Sequence, residues 1–245
     1  MAKNTIGIAE MGMKRLFSGL LGCVLAVGCW AEESAERDSF EAVNRVMFAA
    51  NDALDRAIAK PVARTYVTVV PDPLERGIAN VFDNLNELTN AANSGLQGKL
   101  DGMSYSTGRF LINTTLGIGG LFDVAETVFN LPSQEREDFG QTLAVWGLAE
   151  GPYLMLPLLG PSSVRDLPGR IIDSFTNPLQ YYSEVRPRNT LRAASLVSAR
   201  AELLGVGDMV SGDRYVFVRD VYRQRQSFLV NDGVIEDDFG DDDDY

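Results

Sequence analysis

The sequence predicts an all-α protein on three observations. Apolar residues recur at steps of three and four along 40–58 and again along 74–92. Proline and glycine fall between such stretches, where helices stop. At 45% apolar and 23% charged residues, the chain has enough apolar surface to pack rather than stay disordered. Its 245 residues suit one medium domain or two small ones, and no repeat of 20–50 residues is evident.

The elements follow in chain order. Lys14 and Arg15 precede a largely apolar run over 16–28, broken only by Ser18 and softened by Gly19 and Gly22. A basic flank before so short an apolar run is a secretory signal, too short to span a bilayer. Met11 and Met13 are alternative starts. Three processing readings compete. In the first, Ala26-Val27-Gly28-Cys29 is a lipobox and Cys29 is lipidated; in the second, Leu20-Leu21-Gly22-Cys23 plays that part. In the third, an ordinary peptidase reads Cys29-Trp30-Ala31 and cuts before Glu32, leaving Cys29 as an apolar residue of the signal. The first is preferred, giving a signal over 1–28 and a tether over 29–37. Two or more acyl chains hold a protein on a membrane firmly, where one does so marginally. Trp30, rather than the aspartate that retains bacterial lipoproteins in the inner membrane, follows Cys29, which points to the outer membrane.

The body opens with Asp38-Ser39-Phe40-Glu41, the pattern of a capping box. Phe40, Val43, Met47, Ala50, Leu54 and Ile58 then mark one helical face as far as Pro61. A second helix starts at Asp72-Pro73, carries Leu74, Ile78, Val81, Leu85, Leu88 and Ala92 on one face, and ends at Gly95 or Gly98. Both stripes are expected to be core. A third helix covers 103–113. The stretch 116–122, Leu-Gly-Ile-Gly-Gly-Leu-Phe, departs from this pattern: it is apolar and glycine-rich, and 124–131 continues apolar to Pro132. With no Lys-Ser/Thr after it and no strand before it, it is not a phosphate loop. Residues 151–161 hold three prolines yet are strongly apolar, which predicts an irregular segment that is either buried or in contact with lipid or a partner. Helices are expected near 169–183, 188–204 and 213–230. The last has Tyr215, Val218, Tyr222, Arg225 and Leu229 on one face, and Arg214, Arg219, Arg223 and Arg225 as a solvated or salt-bridged surface.

Charge and composition exclude whole classes of function. The sequence has no histidine, so no Ser-His-Asp triad, Cys-His dyad or imidazole metal ligand can form. Its two cysteines, Cys23 and Cys29, precede the body, which removes a disulfide framework and a thiolate zinc site. Gly-x-Ser-x-Gly and Ser-x-x-Lys are absent and the acids show no distinctive pairing. The net charge is −12; without residues 1–28 there are 19 basic against 33 acidic side chains. Seven of those acids lie in a tail at 234–245 that reads as a solvated, disordered segment. Nucleic acid is therefore not an expected partner. No cofactor is expected. After processing, arginine far outnumbers lysine, with only Lys60 and Lys99 left, and arginine forks suit phosphate.

With these residues in place, the chain resembles the VacJ/MlaA family of outer-membrane lipoproteins from Gram-negative bacteria. The matching stretches are 38–48 (DSFEAVNRVMF), Leu96-Gln97-Gly98, 109–125 (RFLINTTLGIGGLFDVA), 138–143 (DFGQTL), Gly151-Pro152-Tyr153 with Leu156-Pro157, Val164-Arg165-Asp166, 200–204 (RAELL) and 215–220 with Tyr222, Gln224 and Arg225. They cover 38–233 in order. The chain departs from the family at 143–147, where an expected polar pair is absent, and at Arg214, where proline is usual.

The resemblance implies a single ring-shaped helical domain over 38–233, lying in the inner leaflet of the outer membrane around an amphipathic channel. The implied activity is removal of misplaced phospholipid from the outer leaflet and delivery to a periplasmic carrier protein, in association with a trimeric porin. The N-terminal helix residues Asn44, Met47 and Phe48 belong to the matching motif. Leu116, Gly117, Ile118, Gly119, Gly120, Leu121 and Phe122, with Phe129, are expected to form a mobile flap beside the channel; the alternative is a buried core turn. A porin-bridging structural lipoprotein and a lipid-hydrolysing enzyme are the competing functional readings.

Overall fold

The computed structural model describes residues 38–181, 183–205 and 212–234. The signal, the tether with Cys29, and all of the acidic tail but Val234 lie outside the described residues. In chain order the elements are α1 (Glu41–Leu54), a π-helical turn (Asp55–Ala59), α2 (Lys60–Val69), α3 (Asp72–Leu96), α4 (Leu100–Thr115), α5 (Val124–Thr127), α6 (Phe139–Val145), β1 (Tyr153–Leu156), β2 (Gly160–Ser163), α7 (Asp166–Thr176), a 3-10 turn (Pro178–Tyr181), α8 (Val185–Glu202) and α9 (Arg214–Val230). The helical class expected from the sequence is the observed one.

Several boundaries move for identifiable reasons. Pro61 does not end the first helix. The π-helical turn before it lets the Lys60 N–H reach back to the Asp55 carbonyl, and this widened turn accommodates the ring, so the chain stays helical to Val69. The capping box does not form. Asp38 turns inward, accepting from the Asn44 Nδ2 at 2.9 Å and from the Tyr215 hydroxyl, while Glu41 pairs with Arg45 at 2.7 Å instead. α3 ends in a Schellman turn: Gly98 at φ +80° and Lys99 donate back to the Gly95 and Ser94 carbonyls.

Residues 151–161 are not irregular. They form an antiparallel hairpin in which Tyr153 pairs with Ser163 and Leu156 with Gly160, and Leu158 and Leu159 project from its tip. Pro152 precedes β1, Pro157 lies in the turn and Pro161 lies within β2 opposite Met155, and the free edge of β1 is covered by α1. Asn44 donates to the Tyr153 carbonyl at 3.0 Å and accepts from the Met155 N–H at 2.9 Å. Asn51 does the same for the Leu156 carbonyl and the Leu158 N–H, both at 2.8 Å. Seven helical residues rise about 10.5 Å and three strand residues about 10 Å, so the two asparagines keep step with the strand.

The apolar core is small and centres on this hairpin. Tyr153, Met155, Tyr215 and Tyr222 form it, with Met47 and Phe48 packed on its edge. Tyr153 meets Tyr215 and Tyr222 edge-on at 6.3 and 5.7 Å, and Phe48 meets Tyr215 at 5.8 Å. On α9 the buried face is Tyr215, Tyr222, Gln226 and Leu229; Arg225 points outward, one position from where the spacing placed it. The arginines of α9 are salt-bridged, Arg214 to Asp52 at 2.6 Å and Arg225 to Glu135 at 3.5 Å. α6 and α7 cross backbone to backbone: a Cβ on Gly169 would lie 2.6 Å from the Gly140 nitrogen.

Candidate functional site

Helices α3 and α4 pack as a hairpin and define the interior. The apolar stripes expected to be core are not core. Val43, Leu54, Ile58 and Leu74 are exposed and Met47, Ile78, Val81, Leu85 and Leu88 only half-buried, while what α3 buries is Gly77, Asn84, Glu87, Asn90, Asn93 and Ser94. α4 buries Ser106, Arg109 and Asn113 at steps of three and four and leaves Leu100, Met103 and Leu111 outside. Among the described residues, 17 polar or charged side chains are buried against nine apolar ones, while 32 large apolar side chains are exposed.

Most polar side chains that α3 and α4 bury are hydrogen-bonded, the Asn84 Oδ1 excepted. Arg109, 3% exposed, is their hub. Its Nε donates to Glu87 at 2.7 Å, its Nη2 to Asp123 at 2.8 Å and its Nη1 to the Leu131 carbonyl. Asn113 donates to Asp123 at 3.0 Å and accepts from the Ala125 N–H at 2.8 Å. Burial alone would raise the Asp123 carboxyl, but hydrogen bonds from Arg109, the Glu126 N–H and Asn113 hold it below the ordinary carboxylate range.

Beside this network lies a polar cavity of about 370 Å³, lined by Asn90 and Ser94 of α3, Ser106 of α4, Lys99, and residues 134–137. Lys99 bridges Glu137, at 3.0 Å, and Asp232 across it. Burial opposes the Lys99 charge, but its hydrogen bonds to Asp232 and Glu137 outweigh burial and raise its pKa. A separate apolar groove of about 460 Å³ runs between α2 and α8, lined by Val62, Tyr66, Val69 and Val197.

The glycine-rich segment adjoins the cavity, since the chain leaves it through Leu131 and Pro132 into 134–137. Its backbone is held and its apolar side chains are presented. Leu116, Ile118, Phe122 and Phe129 are exposed; Leu121 is half-buried; Gly117 and Gly120 are buried. A Cβ on Gly117 would sit 2.2 Å from the Phe122 carbonyl oxygen, and one on Gly120 would meet Asn84 at 2.7 Å. Gly119, at φ +71°, faces open space. Ile118 is a β-branched residue at φ +55° with 71% exposure, a costly conformation for a side chain that packs on nothing in the chain. Asn44, Met47 and Phe48 lie apart from this segment, in the hairpin and tyrosine cluster. Sequence reasoning missed Glu87, Arg109, Asn113 and Asp123. Their signal was present as a polar stripe at helical spacing on each of the two helices.

Among the described residues no group of three or more acidic or cysteine side chains could hold a metal, and no helix is long and apolar enough to cross a membrane.

Fold and interior together define a mostly helical protein built around a buried polar network between α3 and α4. The chain belongs to the MlaA lipoprotein family, whose sequence profile matches residues 36–229. It is 35% identical over 232 residues to the intermembrane phospholipid transport system lipoprotein MlaA of Escherichia coli, covering 91% of each chain. Its counterpart in Haemophilus influenzae is 29% identical over 91% of this chain and 93% of its own length. An uncharacterized protein of Rickettsia felis is 41% identical over 78% of this chain and 77% of its own. A solved structure described as "Structural basis for maintenance of bacterial outer membrane lipid asymmetry" matches with a TM-score of 0.71 and 35% identity, over 79% of this chain and 99% of that one.

Proposed function

We propose that this chain is an outer-membrane lipoprotein that extracts misplaced phospholipid from the outer leaflet and passes it to a periplasmic carrier protein, maintaining lipid asymmetry. The observation that carries this reading is the side-chain distribution among the described residues: 17 polar or charged side chains are buried against nine apolar ones, and 32 large apolar side chains are exposed beside the charged ones. The family relatives named for phospholipid transport support the substrate class. A phospholipid leaving a bilayer exposes about thirty methylenes, which at ~0.8 kcal/mol each is a barrier of order 20 kcal/mol. Flipping instead drags a charged headgroup through hydrocarbon. An interior polar enough for the headgroup, inside an exterior that stays in hydrocarbon, lowers both barriers without a nucleophile.

In this reading the helices encircle an amphipathic channel, and the cavity around Lys99 and Glu137 is part of the headgroup path. The exposed residues Leu116, Ile118, Phe122 and Phe129 form an apolar flap against the acyl chains. Cys29 carries the lipid anchor on the periplasmic face, and a trimeric porin is the membrane partner. No catalytic step is assigned. The test is the purified full chain in vesicles with labelled phospholipid and acceptor vesicles. Intact transfer is expected; released fatty acid indicates hydrolysis instead, and porin co-purification without transfer indicates a structural role.

A further inference from the structure

Residues 116–131 present apolar side chains that pack on little of the molecule, yet the segment holds one defined shape. Its backbone is tied to the interior at two places. On the α3 side, Asn80 donates to the Leu121 carbonyl at 3.2 Å and Gly120 lies against Asn84. On the α4 side Asn113 donates to Asp123 and accepts from the Ala125 N–H, and an ionic tie runs beside it. Arg109 reaches Asp123 at the start of α5 and the Leu131 carbonyl at the end of the segment, while its third bond goes to Glu87 of α3. Asp123 in turn caps α5, accepting from the Glu126 N–H at 3.0 Å. The same chain of bonds continues to the cavity: Asn90 donates to Glu87 at 3.3 Å and accepts from the Glu137 N–H at 3.1 Å, and Glu137 holds Lys99.

We infer that Arg109 is the positioning residue of the lipid path: through Asp123 and Leu131 it sets the apolar segment, and through Glu87 and Asn90 it fixes that segment relative to the polar cavity. The inference rests on the transport reading above. A guanidinium is required because three acceptors at different angles, two of them carboxylates on separate elements, must be met at once. An ammonium is a point donor without that planar fork. One buried Arg held between two acids is also a costly way to obtain stability alone. Its geometric yield is that the exposed shelf and the cavity wall cannot move independently.

The test uses the full lipidated chain in detergent micelles and in vesicles. Asp123→Asn removes the charge from the link to Asp123 while leaving the Arg109–Glu87 pair and the bond to the Leu131 carbonyl; Arg109→Lys keeps the charge and loses the fork. Two quantities are read: amide hydrogen exchange resolved by segment, and transfer of fluorescent phosphatidylethanolamine from phosphatidylcholine vesicles. The expected result is faster exchange over 117–131, unchanged protection in α3, and transfer slowed roughly tenfold, as expected when a few tenths of an ångström to an ångström of placement is lost. Arg56→Gln, which removes an exposed pair with Asp52, changes neither. Unchanged exchange over 117–131 in both variants overturns the inference, and so does faster exchange with full transfer. If the unaltered protein itself transfers no lipid, the transport reading falls, and the exchange result still decides whether Arg109 sets the segment.

Discussion

Asn44 is a small residue with an unusual amount of architecture resting on it. Its amide satisfies a strand carbonyl, a strand N–H and the inward-turned Asp38 at once, 2% exposed. Asn44→Ala strands three buried groups and is expected to cost about 2–4 kcal/mol in denaturant unfolding. Gly117→Ala drives a Cβ into two carbonyl oxygens, Phe122 at 2.2 Å and Asn113 at 2.6 Å, that belong to backbone and cannot swing away. We expect a loss above about 3 kcal/mol by the same measurement. Asp173 supplies a pH dependence. Burial outweighs its bonds from the Phe139 N–H and Asn93, and pushes its carboxyl from 3.8 to about 6. The folded state therefore holds this proton more tightly than the unfolded state does. The stability it contributes is complete below pH 3.8 and is lost as pH rises through about 6. Asp173→Asn should flatten the stability profile between pH 4 and 6.5 by an amount of order 2–3 kcal/mol, measured by unfolding at a series of pH values.

At the scale of elements, the β-hairpin tip and the glycine-rich segment share one signature: an exposed apolar residue in the left-handed backbone region. Leu158 has φ +64° and is 79% exposed; Ile118 has φ +55°. Left-handed backbone costs a leucine about 1 kcal/mol, so relieving it should stabilise the fold. Leu158→Asn is expected to raise unfolding stability by about 0.5 kcal/mol and to weaken binding to vesicles, read by flotation. An unstable, poorly folded variant would show that the leucine packs where the structure leaves it open. The hairpin itself was illegible in the sequence, because three prolines so close together argue against a strand, yet Pro161 sits within β2 opposite Met155. The π-helical turn was equally hidden, since helix periodicity carries no mark of where one extra residue enters a turn.

At the scale of the molecule, the proposed lipid anchor at Cys29 and the exposed apolar side chains of the body can be separated by experiment. Cys29→Ser should abolish palmitate labelling, yet the protein should stay largely in the membrane fraction, because 32 large apolar side chains outside the core remain to hold it there. Release into the soluble fraction would count against an embedded body; retained labelling would reassign the lipidated cysteine. The polar interior has the opposite logic. Its asparagines and the Arg109 hub are stable only while each partner is present, so lesions there act on the fold and on the lipid path together.

Much of this was open to reading from residues alone. The all-helical class followed from period and punctuation, and the empty histidine column removed the commonest hydrolytic and metal chemistries before any coordinates. The apolar segment at 116–129 stood out by composition, and the tertiary structure presents its side chains outward. Which face of each helix points inward was decided by tertiary structure alone. A 3.6-residue period says that two faces differ; it carries no information on which of them meets the surroundings. In water the apolar stripe of α3 would be core, and its asparagines would be surface. Here α3 and α4 turn their amides, Glu87 and Arg109 toward each other, a pairing between residues more than twenty positions apart that the period of neither helix displays.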